Sequence, residues 1–286
     1  MRGCSIWNCS CDYVKGALML VVIRGAGDIA SGIAVRLRRA GADIVMLDIP
    51  VPTAVRRAVC FSEAIRLGEM DVEGIHAVRC KNATVAADTV ASGTIAVLVD
   101  PEGSSIRELS PNAVVDAILA KRNVGTTRDM APIVIGVGPG FHAGTDSSAD
   151  CHAAVETKRG HYLGRVIYDG SPIPNTGVPG NIGGFSTERV LRAPTTGTFE
   201  PVRRIGDVVK KGDLVATVNG AMLYATIDGV LRGLLQEGVP VTRGMKSGDI
   251  DPRCKVAHCF SCSDKARAVG GGVLEALLHF SGRLEG

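Results

Sequence analysis

The chain reads as an α/β protein built from a doubly wound parallel-sheet domain, a smaller all-β barrel or sandwich, and a C-terminal helix. Three observations predict this. An apolar run, a glycine-rich turn, a helical pattern and a second apolar run follow one another between Leu20 and Leu47, which is how a doubly wound unit opens. Short apolar pieces punctuated by glycine fill 193–251, the texture of a small barrel or sandwich of short strands. Ser261, Ser263 and Asp264 then open a stretch with apolar residues at helical spacing through Phe280, a helix start with capping side chains.

Each element follows in order. Residues 1–18 mix Cys4, Asn8, Cys9, Cys11 and Asp12 ahead of any apolar run, without the charged-then-apolar order of a secretory signal. They read as an N-terminal extension, with Met19 as an alternative start. The doubly wound domain spans 19–140. In it, a strand at Leu20–Ile23, the turn Gly25–Gly27, a helix from Ile29 to Arg39 and a strand at Ile44–Leu47 lead the alternation. A helix near Ala83–Ala91, a strand at Thr94–Val99, a helix opened by Ser110 and Pro111 and running to Lys121, and a strand at Ile133–Val137 continue it. Ser before Pro suits a helix start, because the hydroxyl caps free amides while Pro loses no bond in the first turn. Residues 141–192 form a connecting segment with a candidate site; the prolines and glycines of 171–184 exclude a helix or internal strand there. The β domain occupies 193–251, with similar glycine spacing in Ile205–Leu214 and Glu237–Met245 suggesting two quasi-repeated hairpins. The segment 252–286 ends in a helix that packs on the core. Gly270, Gly271 and Gly272 sit inside that helix, each at a cost of about 1 kcal/mol, so a kink or close packing on another backbone must compensate.

Composition narrows the function classes. With 32 Lys plus Arg against 29 Asp plus Glu, the formal charge of +3 is too small to imply a nucleic-acid or anionic-membrane surface. Aromatic residues are only 4 % of the chain, which removes the platforms that base stacking needs. Nucleic-acid and membrane partners are therefore not expected, and no apolar run reaches the roughly 18–20 residues of a spanning helix. Nine cysteines, an odd number at irregular spacing, read as reduced thiols in the cytoplasm rather than as a disulfide framework.

The chemistry-bearing motifs come next. Gly25, Ala26, Gly27, Asp28, Ile29 and Ala30 match G-x-G-x-x-G/A between a strand and a helix. In that context the first glycine makes the turn, the second admits a pyrophosphate, and Ala30 lets helix meet strand. Asp48 ends the second strand, where an acidic residue bonds a ribose hydroxyl. The domain is Rossmann-like on these residues, with Asp28 the one feature that would repel a phosphate. Arg56 and Arg57 can clamp a phosphate or carboxylate, or simply form a solvated helix face. Gly138 and Gly140 flank Pro139 at the carboxyl end of a strand, where α/β ligands bind. Cys151 and His152 follow, and Asp150, His152 and Glu156 are an acid/base or metal candidate. The set Cys254, His258, Cys259 and Cys262 holds a single C-x2-C pair, so no metal ligands are assigned. Cys259 reads equally as a thiol activated just before a helix N-terminus and as plain packing.

These residues resemble a known family. The stretches IRGAGDIASG (Ile23–Gly32), PTAVRRAVCFSEA (Pro52–Ala64), GPGF (Gly138–Phe141), Asp150-Cys-His152, ETKRGH (Glu156–His161), GVPG (Gly177–Gly180), ERVLRAP (Glu188–Pro194), GDIDPR (Gly248–Arg253) and SDKARAVGGGVLEA (Ser263–Ala276) are similar to the YqeB-type accessory proteins of selenium-dependent molybdenum hydroxylases. Thr145–Ala149, Cys254 and Cys262 depart from that pattern. The resemblance implies an accessory role in maturing a molybdenum hydroxylase, with that enzyme or its cofactor-assembly proteins as partners. Taken with the glycine turn, this gives a nucleotide-type or molybdenum-cofactor ligand, either NAD(P) or a molybdopterin dinucleotide, with Gly25, Gly27, Asp28, Ala30, Asp48, Arg56, Arg57, Gly138 and Gly140 as the candidate binding residues. Cys151 or Cys259 is then the candidate thiol for selenium or sulfur handling, with His152 kept as a candidate catalytic acid/base residue. Residues 193–251 further resemble a lipoyl- or biotinyl-type barrel-sandwich, but its central turn, Val218–Ile227, has Met222 and no lysine to carry a group. An NAD(P)-dependent oxidoreductase and a non-catalytic docking scaffold are the alternatives, and whether any reaction is catalysed stays open.

Overall fold

The computed structural model describes residues 19–282; the extension read over 1–18 lies outside the described residues. Nine strands form the main sheet: β1 (Leu20–Arg24), β2 (Asp43–Asp48), β3 (Glu69–Val72), β4 (Ile75–Cys80), β5 (Ile95–Val99), β6 (Ala113–Asp116), β7 (Ile133–Val137), β8 (Ala153–Val155) and β9 (Val166–Ile167). Their order is β3-β4-β5-β2-β1-β6-β7-β8-β9. The seven inner strands pair in parallel, whereas β3 and β9 close the two edges antiparallel. β1 is central because LVVIR has parallel partners on both sides, and Val21 to Ile23 are fully buried on both faces.

Alternate residues of each strand feed two cores, as the period of two requires. On one face Val21, Ile23, Ile44 and Met46 meet helix α1 (Asp28–Arg39) and the C-terminal helix, which is α5 after α2 (Glu63–Leu67), α3 (Ala83–Ala91) and α4 (Ser105–Leu109). On the other, Val22, Val45 and Leu47 meet Ala86 and Val90 of α3, Ile106 of α4, and Phe141. α5 (Asp264–Ser281) opens as its sequence predicts, with Ser263 accepting the Ala266 N–H. α1 and α5 cross through small residues: a Cβ on Gly32 would stand 2.5 Å from the Ala266 Cβ. Of the two ways to accommodate the triple glycine, the molecule uses close packing.

The remaining strands are β10 (Val190–Arg192), β11 (Gly197–Pro201), β12 (Val208–Val209), β13 (Leu214–Val218), β14 (Ala221–Tyr224), β15 (Gly229–Leu234), β16 (Pro240–Val241) and β17 (Lys246–Asp251). They make two antiparallel four-stranded sheets, β10-β17-β15-β12 and β14-β13-β11-β16. The two glycine-spaced pieces are not hairpins: each gives a two-residue strand and a turn that leads into a strand of the other sheet, β12 to β13 and β16 to β17, and neither pair is hydrogen-bonded together.

Three expectations are corrected here. The helix over 110–121 is not formed: Ser110 takes a left-handed conformation that ends α4, Pro111 follows it, and Ala113–Asp116 is a strand buried between β1 and β7. The Ser-Pro pair stops one helix instead of starting another. The Rossmann-like doubly wound domain is corrected to a mixed sheet. No helix joins β6 to β7 or β7 to β8, so α5, from the far end of the chain, covers that half, and strands from 141–192 complete the sheet. The lipoyl- or biotinyl-like barrel-sandwich is corrected to a two-sheet unit merged with its neighbour. Its edge strand β10 comes from before residue 193, and Val55 sits in its core. The Leu234 N–H donates to the Val55 carbonyl at 2.7 Å, and a Cβ on Gly233 would stand 2.9 Å from that same oxygen.

Candidate functional site

The carboxyl ends of β1, β2, β5, β6 and β7 bring the turn 25–28 and the loops after residues 48, 99, 116 and 137 to one edge of the sheet. Facing them are β10, β15, β17, the first turn of α5 and the loop 173–182. Between lies a cleft of about 860 Å³, within the usual range for a small-molecule site. Ten basic side chains line it against four carboxylates.

The glycine turn positions the floor of this cleft. Gly25 has φ +96°, and a Cβ there would stand 2.9 Å from the Ala117 carbonyl oxygen, so only glycine lets this turn pack on the loop after β6. Gly27 caps α1 without any side-chain acceptor, which leaves first-turn amides free at the positive end of the helix dipole. Ala30 is buried where α1 meets the sheet.

Asp48 does not stand ready for a ribose. Its Oδ2 accepts the Ala26 N–H at 2.8 Å and its Oδ1 the Ile49 N–H at 2.7 Å. Burial raises its pKa, partly offset by those two bonds. The carboxylate is spent on holding the glycine turn to the end of β2, and the NAD(P)-binding expectation is corrected accordingly. Arg56 also has structural partners: it lies 2.9 Å from Asp28 and donates to the carbonyls of His258 and Ser261. It thereby neutralises the acid that would repel a phosphate. Arg57 points elsewhere, to the Leu234 carbonyl and Glu63. Gly138 and Gly140 shape the loop after β7 from behind, a Cβ on Gly140 overlapping the Arg122 backbone; Pro139 between them reaches the cleft.

The candidate thiols lie outside the cleft lining. Cys151 is fully buried, its Sγ donates to the His142 carbonyl at 3.7 Å, and burial pushes the thiol up to about 12. His152 accepts the Val134 N–H on Nδ1 and lies edge-on to Phe280; burial lowers its pKa. Cys259 is buried, with its thiol raised by burial and its Sγ donating to the Leu231 carbonyl. Thiols held neutral in this way are weak nucleophiles. Asp150, His152 and Glu156 do not converge: Asp150 accepts the His142 N–H, while Glu156 accepts the N–H groups of Lys158 and Ile173. Among the described residues no group of three His, Cys, Asp or Glu side chains is placed to share a metal ion.

What the sequence did not single out is the rest of the cationic lining. Arg189 and Arg232 both pair with the buried Asp249, Arg159 with Asp264, and Arg24 with Asp116. Lys121, Lys158, Lys246 and Lys265 have no carboxylate at ion-pair distance among the described residues. Arg189 and Lys265 stand inside motifs that carry the family resemblance, which is the one signal that pointed to them.

No family model matches the chain. It is 52 % identical over 259 residues to the protein YqeB of Escherichia coli (strain K12), covering 91 % of this chain and 47 % of that one. The chain thus spans about half the length of the curated relative it matches. Among solved structures, an aspartoacylase family protein of Mesorhizobium loti gives 10 % identity and a TM-score of 0.24, over 82 % of this chain and 85 % of that one. A succinylglutamate desuccinylase/aspartoacylase of Rhodobacter sphaeroides gives 16 % and 0.25, over 82 % and 86 %. The ectoine utilization protein EutE (DoeB) of Ruegeria pomeroyi gives 12 % and 0.22, over 76 % and 61 %. Such TM-scores carry no argument about activity. No helix among the described residues is long and apolar enough to cross a membrane. Over the 259 matched residues, the chain is similar to part of that YqeB protein.

Proposed function

We propose that the chain is an accessory protein that holds an anionic small molecule of nucleotide size in the cleft at the carboxyl ends of the parallel strands. The carrying observation is the cleft of about 860 Å³ with four lysines that no carboxylate among the described residues neutralises. Lys121, Lys158 and Lys246 are solvent-exposed and Lys265 is half-buried, so an anion entering the cleft meets positive charge without having to displace an existing ion pair. The open N-terminus of α1 adds to the same potential. The family resemblance of the long motifs supports placing this binding step in the maturation of a selenium-dependent molybdenum hydroxylase, with the ligand as cargo. Cys151 and Cys259, both buried and protonated, are left out of that role.

The test is native mass spectrometry of the protein purified from cells supplied with molybdenum and selenium, followed by release and identification of whatever is bound. A phosphate- or carboxylate-bearing ligand is the expected result. Protein that carries no anion, and that takes up none from an extract of the same cells, overturns the proposal.

A further inference from the structure

Outside the cleft, the fold brings a serine, a histidine and an aspartate together. Ala143 and Gly170 form an antiparallel bridge and exchange both backbone bonds, at 2.8 and 2.9 Å. His142 and Ser171, one residue beyond that pair, therefore stand opposite one another, where cross-strand side chains share a face. Ser171 Oγ lies 3.3 Å from His142 Nδ1, and at the other ring nitrogen Asp146 Oδ2 lies 3.5 Å from Nε2. The three residues are not part of the cleft lining.

The loop that carries the histidine and the aspartate is held by its own bonds. Asp150 accepts the His142 N–H at 3.0 Å, and its own N–H donates to the His142 carbonyl at 2.8 Å. Ser148 turns the Asp146 carboxylate: its N–H, at 2.7 Å, and its hydroxyl both donate to Oδ1. Oδ2 is left facing the imidazole. A carboxylate at Nε2 keeps the ring proton there and leaves the Nδ1 lone pair to the serine, the relation that activates a hydroxyl nucleophile. Ser171 and Asp146 are exposed and His142 is half-buried, so a reacting group has access to the hydroxyl. A Cβ on Gly144 would stand 3.1 Å from Asp146 Oδ2 and 3.6 Å from Asp169 Oδ1. With Asp150 these carboxylates repel an anion, which sets this surface apart from the cationic cleft.

We infer that Ser171 is a nucleophile toward uncharged or cationic acyl esters, with His142 as its base and Asp146 as the positioning carboxylate. The Oγ–H proton passes to His142 Nδ1 as Oγ bonds to the ester carbonyl carbon, whose π pair moves to the carbonyl oxygen. On collapse that pair re-forms the double bond, the bond to the alkoxy group breaks, and the alcohol leaves with the proton from His142. Water then attacks the acyl-serine in the same way, giving the carboxylic acid and free Ser171.

An uncharged alkyl fluorophosphonate, incubated with the full chain and followed by peptide mapping, tests this. An adduct on Ser171 is expected, with Ser148, exposed on the neighbouring loop, unmodified. His142→Gln is expected to slow labelling about a hundredfold, the worth of a positioned base. Asp146→Asn slows it too, and Asp146→Glu, which keeps the carboxylate, recovers part of the rate. In Ser171→Cys, where the histidine loop is intact, iodoacetamide is expected to alkylate the introduced thiol faster than the exposed Cys254. Absence of an adduct on Ser171, or equal adducts on Ser171 and Ser148, overturns the inference. So does labelling that His142→Gln leaves unchanged, or an introduced thiol no faster than Cys254. Hydrolysis of 4-nitrophenyl acetate no faster than by Ser171→Ala protein overturns the acyl-ester assignment. None of these outcomes bears on anion binding in the cleft.

Discussion

The three consecutive glycines of α5 give a matched set of substitutions whose signs differ. Gly→Ala in a helix interior gains about 1 kcal/mol from propensity alone, so the surroundings decide the outcome. A Cβ on Gly271 meets nothing within 4 Å, and one on Gly270 stands 3.2 Å from the Gly32 carbonyl oxygen and 3.3 Å from the Arg36 Cβ. On Gly272 it would stand 2.2 Å from the Gly164 carbonyl oxygen and 2.9 Å from the Val155 Cγ1. That oxygen has little room to retreat, because the Gly164 N–H is bonded to the Glu156 carbonyl at 2.9 Å and α5 is packed on β8. Overpacking of this kind costs about 1–3 kcal/mol, and more where backbone must shift. Gly271→Ala is therefore expected to stabilise by about 0.5–1 kcal/mol, Gly270→Ala to lie near zero, and Gly272→Ala to destabilise by about 1–2 kcal/mol net. Urea unfolding followed by circular dichroism reads all three as midpoint shifts at constant slope. A Gly272→Ala protein as stable as the parent, or a Gly271→Ala protein weakened by more than about 1 kcal/mol, would refute the packing argument.

The other predictions concern charge and thiols. Burial alone would raise the Asp251 carboxyl, but the Arg253 guanidinium and N–H and the Arg232 charge hold it at about 2. Its folded pKa lies below the unfolded value of about 3.9, so its contribution of roughly 2 kcal/mol is full above pH 4 and fades as pH falls toward 2. Asp251→Asn should accordingly differ from the parent in stability at pH 5 and converge on it near pH 2; a gap that stays constant refutes the assignment. Asp249→Asn removes the one carboxylate paired with the buried guanidinium of Arg189 among the described residues and leaves Arg232 only Asp251, at 3.5 Å, and a loss of about 3–5 kcal/mol is expected; a urea midpoint unmoved by the substitution would contradict it. Iodoacetamide at pH 8 should alkylate the exposed Cys254 and leave Cys151 and Cys259 unmodified until the protein is denatured. Peptide mapping that finds native Cys151 modified as fast as Cys254 would restore its candidacy as a nucleophile.

Much of the main sheet was legible because its signals are local. LVVIR, the glycine turn and the Ser263 cap each act within a few residues of themselves, and β1, α1 and α5 form where those signals stand. β6 was not legible, since Ser110 and Pro111 serve either end of a helix and only the pairing with β1 and β7 decides which. The way the two-sheet unit joins the main sheet was not legible for a related reason. Val55 is remote in sequence from the two-sheet unit, yet it supplies that unit with a core side chain and a carbonyl acceptor.

The candidate site was legible as a place and not as a set of contacts, and Asp48 shows why. An acidic residue at the end of a second strand has the same sequence signature whether its oxygens await a ribose or receive two backbone N–H groups; here they receive Ala26 and Ile49. The arginines follow the same logic. A planar guanidinium matches a carboxylate bidentately, so wherever the fold sets the two side by side they consume each other, as Arg159 and Asp264 do. Lysine, a compact charge without that fork, is what such pairing leaves over. The residues free to meet an anion are thus the lysines scattered from Lys121 to Lys265, together with Arg192, which among the described residues bonds only the Gly244 carbonyl, and their common position only the folded chain defines.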